Sequence, residues 1–415
     1  MLARLISIFE SSRLLQLFVI TACIQGGVII SQFLITPWVD PSVVGVVRSL
    51  ETVIALVVLA GSLGMQSIAI RDTAAYSDAS CQSAVLRQVF LLVSLASGVV
   101  IFGIYIVHEF VLTSAISSYV FTTCGLVVLT NFLRVSTGFA QGAKAIREIY
   151  LVLMLVTAAG VVLHVILTKL YGVRGWMAAR YLGELFCLIA VWWRLRAYIL
   201  PALNFAAVDK KQLMITAKSG VTINASLFVR LLVDSLPVLM LTALHVRTEE
   251  IGFFGIAILS LVLGLLPLAI IAQRALPDLV EALGHPDELR KKYSSALKSM
   301  LKVSSAVALL LILISSAWWL FIGGAYKTTA LYVMVLALTL PLKAIALACG
   351  TMLVALRVFG LSLKVNILEG LLVLILLYVG IPILEGWAGV MAYSAGAVLS
   401  AVLLLSAVKI RLAVL

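Results

Sequence analysis

The chain has 415 residues, 63% of them hydrophobic and 12% charged, with a mean hydropathy of +1.19 and a formal net charge of +12. Soluble globular proteins are about half apolar and roughly a quarter charged, so the composition excludes one and leaves no room for a sizeable soluble domain. Strand-type alternation is absent, which excludes an outer-membrane barrel.

Apolar runs of about 20 residues match a hydrocarbon core of about 30 Å at ~1.5 Å rise per residue. They predict twelve spans, at 14–36, 49–70, 88–107, 117–133, 149–168, 175–193, 219–244, 251–273, 301–322, 330–356, 365–384 and 387–408. The first is expected to be a span rather than a cleaved signal peptide, because its apolar region is too long and no small-residue cleavage site is followed by a soluble chain.

Several spans carry one polar stripe, because residues three and four apart share a helix face. In chain order these are Gln25, Gln32 and Thr36, then Arg48, Glu51, Ser62 and Gln66, then Thr123, Thr130, Arg134, Thr137 and Gln141. The fifth span adds Thr157, His164 and Thr168. The sixth holds Arg180 and Glu184 in the run RYLGE.

A basic linker, 201–218, broken from the sixth span by Pro201, leads into the seventh span. There Ser219, Thr222, Ser226, Arg230 and Asp234 step along one face. The stretch 274–300 reads as two short helices separated by Gly284-His285-Pro286, with Arg290, Lys291 and Lys292 placed for anionic headgroups. Lys343 follows Pro341 closely in the tenth span. Glu369, read as one turn into the eleventh, is expected to snorkel to the interface.

Seven charges therefore fall within spans: Glu51, Arg180, Glu184, Arg230, Asp234, Lys343 and Glu369. Facing lipid at about 2.5–3.5 kcal/mol each, they would cost on the order of 20 kcal/mol. That exceeds a typical net stability of roughly 5–15 kcal/mol, so they are expected to face protein or water. Striped helices can enclose a hydrated cavity. The alternative is structural, since Arg180–Glu184 and Arg230–Asp234 are i,i+4 pairs that could neutralise each other in a packed interface. Arg230, about 16 Å into its span, sits near the midplane, where a purely structural pair is harder to justify. A hydrogen-bonded packing role is likewise the alternative for His164.

Basic residues give the orientation. Five lie on one side (Arg48, Lys169, Arg174, Arg247, Lys327) and three within spans. The remaining 22 of 30 lie on the other side, predicted to be cytoplasmic together with both termini. The net charge thus reports topology rather than nucleic-acid binding. The five cysteines are scattered, four of them within spans, without CxxC or metal-ligand spacing, which predicts buried apolar thiols in the spans and no metal.

The chain also repeats. YGVRGWMAAR (171–180) resembles EGWAGVMAYS (385–394), pairing Gly172 and Gly175 with Gly386 and Gly389. VVGVVRSLE (43–51) resembles EIGFFGIAI (250–258), pairing Gly45 with Gly252. Two six-helix lobes are expected, 1–200 and 219–415, joined by the linker 201–218. The fold class is an all-α polytopic membrane protein with the lobes related by a pseudo-two-fold axis around a central cavity, a transporter architecture.

VDPSVVGVVRSLETVIALVVLAGSLGMQSIAIRDTA (39–74) resembles the second-span region of the Wzx lipid-linked oligosaccharide flippases, members of the multidrug/oligosaccharidyl-lipid/polysaccharide exporter superfamily. Pro41, Gly45, Leu63-Gly64 and Arg71 hold the characteristic places, with Val44 where an aromatic is usual. FAQGAKAIREIYL (139–151), LYGVRGWMAARYLGE (170–184) and ALPDLVEA (275–282) are similar to later segments of that family.

The resemblance implies flipping of an undecaprenyl-diphosphate-linked oligosaccharide, such as an O-antigen or other surface polysaccharide unit, across the bacterial inner membrane by alternating access. It implies no catalysis and no cofactor beyond a coupling ion, H+ or Na+. Membrane lipids and other polysaccharide-assembly membrane proteins are the expected partners. The charge argument selects Arg180, Arg230, Lys343, Arg48, Arg134 and Gln25 as substrate-binding residues, and Asp234, Glu184, Glu51 and His164 as coupling groups or charge partners. A cation-coupled drug or small-molecule exporter of the same superfamily is the alternative. A membrane-embedded glycan polymerase or acyltransferase is a third reading, which the short outer loops, without clustered acids or His, do not favour.

Overall fold

A computed structural model describes residues 27, 29–76, 78–111, 119, 122–202, 210–322, 324–356 and 358–414, and among these it is helical without strands. The helices are α1 (Ile29–Trp38), α2 (Pro41–Ser62), α3 (Met65–Ala74), α4 (Ala79–Val111), α5 (Cys124–Gly142), α6 (Ile146–Arg194) and α7 (Arg196–Ala202). They continue with α8 (Lys210–Ala243), α9 (Thr248–Glu281), α10 (Pro286–Ala317), α11 (Lys327–Ala337), α12 (Leu340–Ala355), α13 (Phe359–Leu384) and α14 (Gly386–Val414). Among the described residues seven helices are long and apolar enough to cross a membrane, and the pair α11 and α12, bent by 46°, passes the same test when taken together. The chain is an all-α polytopic membrane protein.

The breaks have local causes. At ~1.5 Å per residue the 49 residues of α6 would run roughly 74 Å, more than twice a hydrocarbon core. The helix breaks at Gly172 (φ 58, ψ −136), so its two limbs hold the predicted fifth and sixth spans. Those dihedrals are closed to a residue with a Cβ except under strain. The predicted second span, 49–70, is instead two helices. Leu63 (φ 46) and Gly64 (φ 68) turn left-handed between α2 and α3, and the Ser62 hydroxyl accepts the Gly64 N–H at 3.3 Å. The bend before α12 falls at Leu338–Thr339, next to Pro341, whose ring nitrogen cannot donate a hydrogen bond.

The chain divides into two compact units. One comprises Leu50–Phe228 with the described residues up to Val39; the other joins Asp40–Ser49 to Val229–Leu415. In the first, Leu86, Phe90 and Phe139 are fully buried, and Phe90, Phe132 and Trp192 have ring centroids 5.1–6.0 Å apart. The segment 134–142, polar enough that the predicted fourth span stops before it, is helical. Gly138 and Gly142 let α5 lie against the backbone of α3, where a Cβ would meet Gln66 O at 2.8 Å and Ile70 O at 2.6 Å.

In the second unit Phe254, Leu336, Leu340 and Leu377 form one buried cluster and Leu268, Met300, Cys349 and Met352 another. Here Gly45 and Gly252, matched in the internal repeat, meet each other. A Cβ on Gly45 would lie 1.8 Å from Thr248 O, and one on Gly252 would lie 2.4 Å from Pro41 O.

Candidate functional site: an ion triad in each unit

In the first unit, the second limb of α6 presents Arg180 and Glu184 one turn apart. Arg180 Nη1 lies 2.9 Å from Glu184 Oε1, and its Nε lies 3.5 Å from Glu51 Oε1 on α2. One guanidinium thus bridges two carboxylates, all three side chains at most 14% exposed. Arg134 on α5 is within electrostatic range of both Arg180 and Glu184. It stands ten residues into its helix rather than in a following loop, for the glycine reason given above.

His164, on the first limb of α6, joins this group. Its Nδ1 is 2.8 Å from the Gly160 carbonyl, which can only accept, so in the neutral ring Nδ1 holds the proton and Nε2 is an acceptor. Gly27, Leu133, Thr157, Gly160, His164, Arg180, Gly183, Glu184 and Cys187 are among the residues lining a cavity of about 50 Å³. His164 Nε2, Arg180 Nε and Glu184 Oε2 are buried without a protein hydrogen-bond partner. Such atoms cost roughly 1–3 kcal/mol each if left dry. The cavity has space for a few water molecules, which need on the order of 10–15 Å³ each by this measure. At this volume it is too small for a glycan.

In the second unit Lys343, in the first turn of α12, fills the corresponding role. Its Nζ lies 3.4 Å from Asp234 Oδ1 on α8 and 3.2 Å from Glu369 Oε1 on α13. The ammonium also sits 4.5 Å from the ring centroid of Tyr393 on α14, within the range of a cation–π contact. The Arg230–Asp234 pairing of the structural alternative is absent among the described residues, because Asp234 turns to Lys343 instead. Arg230 is exposed on α8 and forms no ion pair among the described residues.

Glu369 does not snorkel. Helix α13 begins at Phe359, so Glu369 lies ten residues in, and its side chain is 8% exposed. Arg48 lays its stem over Gly255 of α9, where a Cβ would meet Arg48 Cγ at 2.4 Å. Gln25 lies outside the described residues, and so do the side chains of Thr222 and Ser226 in the stripe on α8.

Two features escaped the sequence. Tyr393 carried no signal in an apolar run. The acids Glu250 and Glu385, read as unclustered, share Arg247, with Nη2 at 3.6 and 2.8 Å, while Tyr332 donates to Glu250 at 2.7 Å. Glu385 (φ 48, ψ −123) has nearly the dihedrals of Gly172, so a similar turn opens each repeated Gly-x-x-Gly segment, one position earlier in the second unit than the matched Gly386.

No protein-family model and no curated protein matches the sequence. Solved structures do. An inward-facing multidrug-resistance MATE family transporter of the MOP (multidrug/oligosaccharidyl-lipid/polysaccharide) superfamily is similar with a TM-score of 0.77 at 14% identity, covering 94% of each chain. The lipid II flippase MurJ, in an inward closed conformation, gives a TM-score of 0.75 at 13% identity, covering 96% of this chain and 88% of MurJ. A MOP superfamily transporter from Pyrococcus furiosus Vc1, described as having a binding pocket of reverse polarity, gives 0.65 at 14% identity, covering 96% and 94%. At these identities the likeness is one of fold alone.

Proposed function

We propose that this chain is a Wzx-type flippase. It moves an undecaprenyl-diphosphate-linked oligosaccharide from the cytoplasmic to the periplasmic leaflet of a bacterial inner membrane by alternating access, with both termini cytoplasmic. The observation that carries this reading is the contrast between Arg230 and the other in-span cations. Arg180 and Lys343 are each held by two carboxylates, whereas Arg230 is exposed without an ion-pair partner among the described residues.

An unbalanced guanidinium at bilayer depth is costly unless it meets an anion or water. A diphosphate suits it, because the planar fork donates two hydrogen bonds at once. The fold likeness to a flippase of a lipid-linked substrate supports the same direction.

The likeness to MATE transporters supports the rival reading, a drug exporter. Cationic drugs call for unbalanced carboxylates. Yet Glu51, Glu184, Asp234 and Glu369 each already contact an internal cation. That leaves the flippase as the better reading.

Arg230→Ala is expected to abolish export of the lipid-linked glycan at unchanged protein level, with Arg230→Lys retaining part of it. Glycan display in a strain dependent on this chain measures both. Full display by Arg230→Ala would remove this residue from the site and the reading with it.

A further inference from the structure

The triad of the second unit has the form of a cation site whose cation is covalently attached. Asp234 and Glu369 come from different helices, α8 and α13, and their oxygens converge on one point from 3.4 and 3.2 Å. At that point stands a singly charged ammonium, 10% exposed, with the Tyr393 ring beneath it at 4.5 Å. The same electrostatic surroundings include Arg230. Carboxylate oxygens plus an aromatic face suit a monovalent cation in general. A lysine on a four-carbon stem supplies the same charge without the entropic cost of capturing a dissolved ion.

We infer that Lys343 is a tethered cation. It occupies a latent monovalent-cation site formed by the part-exposed Asp234 and the buried Glu369, so that this unit offsets the charge of these carboxylates without taking up Na+ or another alkali ion. A transport cycle of this protein would then neither load nor release such an ion here. The inference does not rest on the flippase reading, since its test contains no glycan.

The full chain, purified in detergent, is titrated with NaCl against choline chloride at constant ionic strength, with thermal melting and retention of radioactive Na+ as readouts. Wild type should show neither a Na+-dependent Tm nor retained Na+. Lys343→Ala should acquire both, with about one Na+ bound per chain and a Tm that climbs with Na+ as ligand linkage requires. Lys343→Arg, which keeps the charge, and Lys343→Ala/Glu369→Gln, which removes one carboxylate with the ammonium, should be indifferent to Na+.

If Lys343→Ala accumulates only in high Na+, the inference is likewise supported. Stoichiometric Na+ binding by wild type overturns it, as does indifference of Lys343→Ala to Na+. Should Lys343→Ala fail to accumulate at any Na+ concentration, Lys343→Gln takes its place, and failure of both overturns the idea, because a dissolved cation is required to restore the balance.

Discussion

Arg180 shows how much a single buried charge depends on its partners. With Glu184 at 2.9 Å and Glu51 at 3.5 Å, one guanidinium offsets part of the charge of two carboxylates and ties three costly groups into one ion-paired cluster. Removing the cation alone leaves two buried carboxylates unpaired, and breaking a buried pair costs about 3–5 kcal/mol. Arg180→Met is therefore expected to lower the melting temperature sharply in detergent. The triple variant Glu51→Gln/Arg180→Met/Glu184→Gln should recover most of that loss, since neutral replacement of a whole buried ionic cluster is often tolerated. A triple variant as unstable as the single one would mean that the cluster's hydrogen bonds, not its charge balance, hold this region. The identity of these residues was readable in advance, because hydropathy makes any charge in an apolar run conspicuous. Their pairing was readable only for the i,i+4 neighbours, and even there Asp234 chose a residue 109 positions away over Arg230.

At the scale of elements, two breaks of the same shape have different chemistry behind them. Gly172 takes φ 58 and ψ −136 with no atom near its missing Cβ, so the demand there is purely conformational. Gly172→Ala is expected to cost about 1–3 kcal/mol through backbone strain alone. Glu385 holds nearly the same dihedrals with a side chain attached, and its carboxylate is tied to Arg247 at 2.8 Å. Glu385→Gly should relieve strain while losing only an exposed ion pair, and so leave the melting temperature unchanged or raised. Opposite signs at the two positions, read by parallel thermal melts, would test whether the recurring turn is set by backbone geometry. The spans themselves were legible from apolar run length. Their ends were not: α5 runs on to Gly142 and the second span divides at Leu63-Gly64, because close approach to another backbone decides where a helix can continue.

For the whole molecule, orientation is the property that composition speaks to most directly, with 22 of 30 basic residues assigned to one side of the predicted spans. Native Cys81 offers a direct check. It is exposed in the first turn of α4, where Asp78 accepts its N–H at 3.2 Å, whereas Cys187 and Cys349 are buried. A membrane-impermeant maleimide is expected to label Cys81 in inverted vesicles and not in intact cells, with Cys81→Ser as the control. Labelling from outside the cell would reverse the orientation and, with it, the direction of transport proposed.

Sequence alone determined that this chain lives in a bilayer, roughly where it crosses, and which charges fall within its apolar runs. These follow from local quantities, apolar run length and rise per residue, on which the bilayer acts as a strong filter. Tertiary structure decided which charges meet. Lys343 finds Asp234 and Glu369 across 109 and 26 residues, over a tyrosine that no pattern singled out. Such meetings depend on the rotational setting of each helix against its neighbours. That setting is fixed by glycine contacts and side-chain packing, which hydropathy does not record.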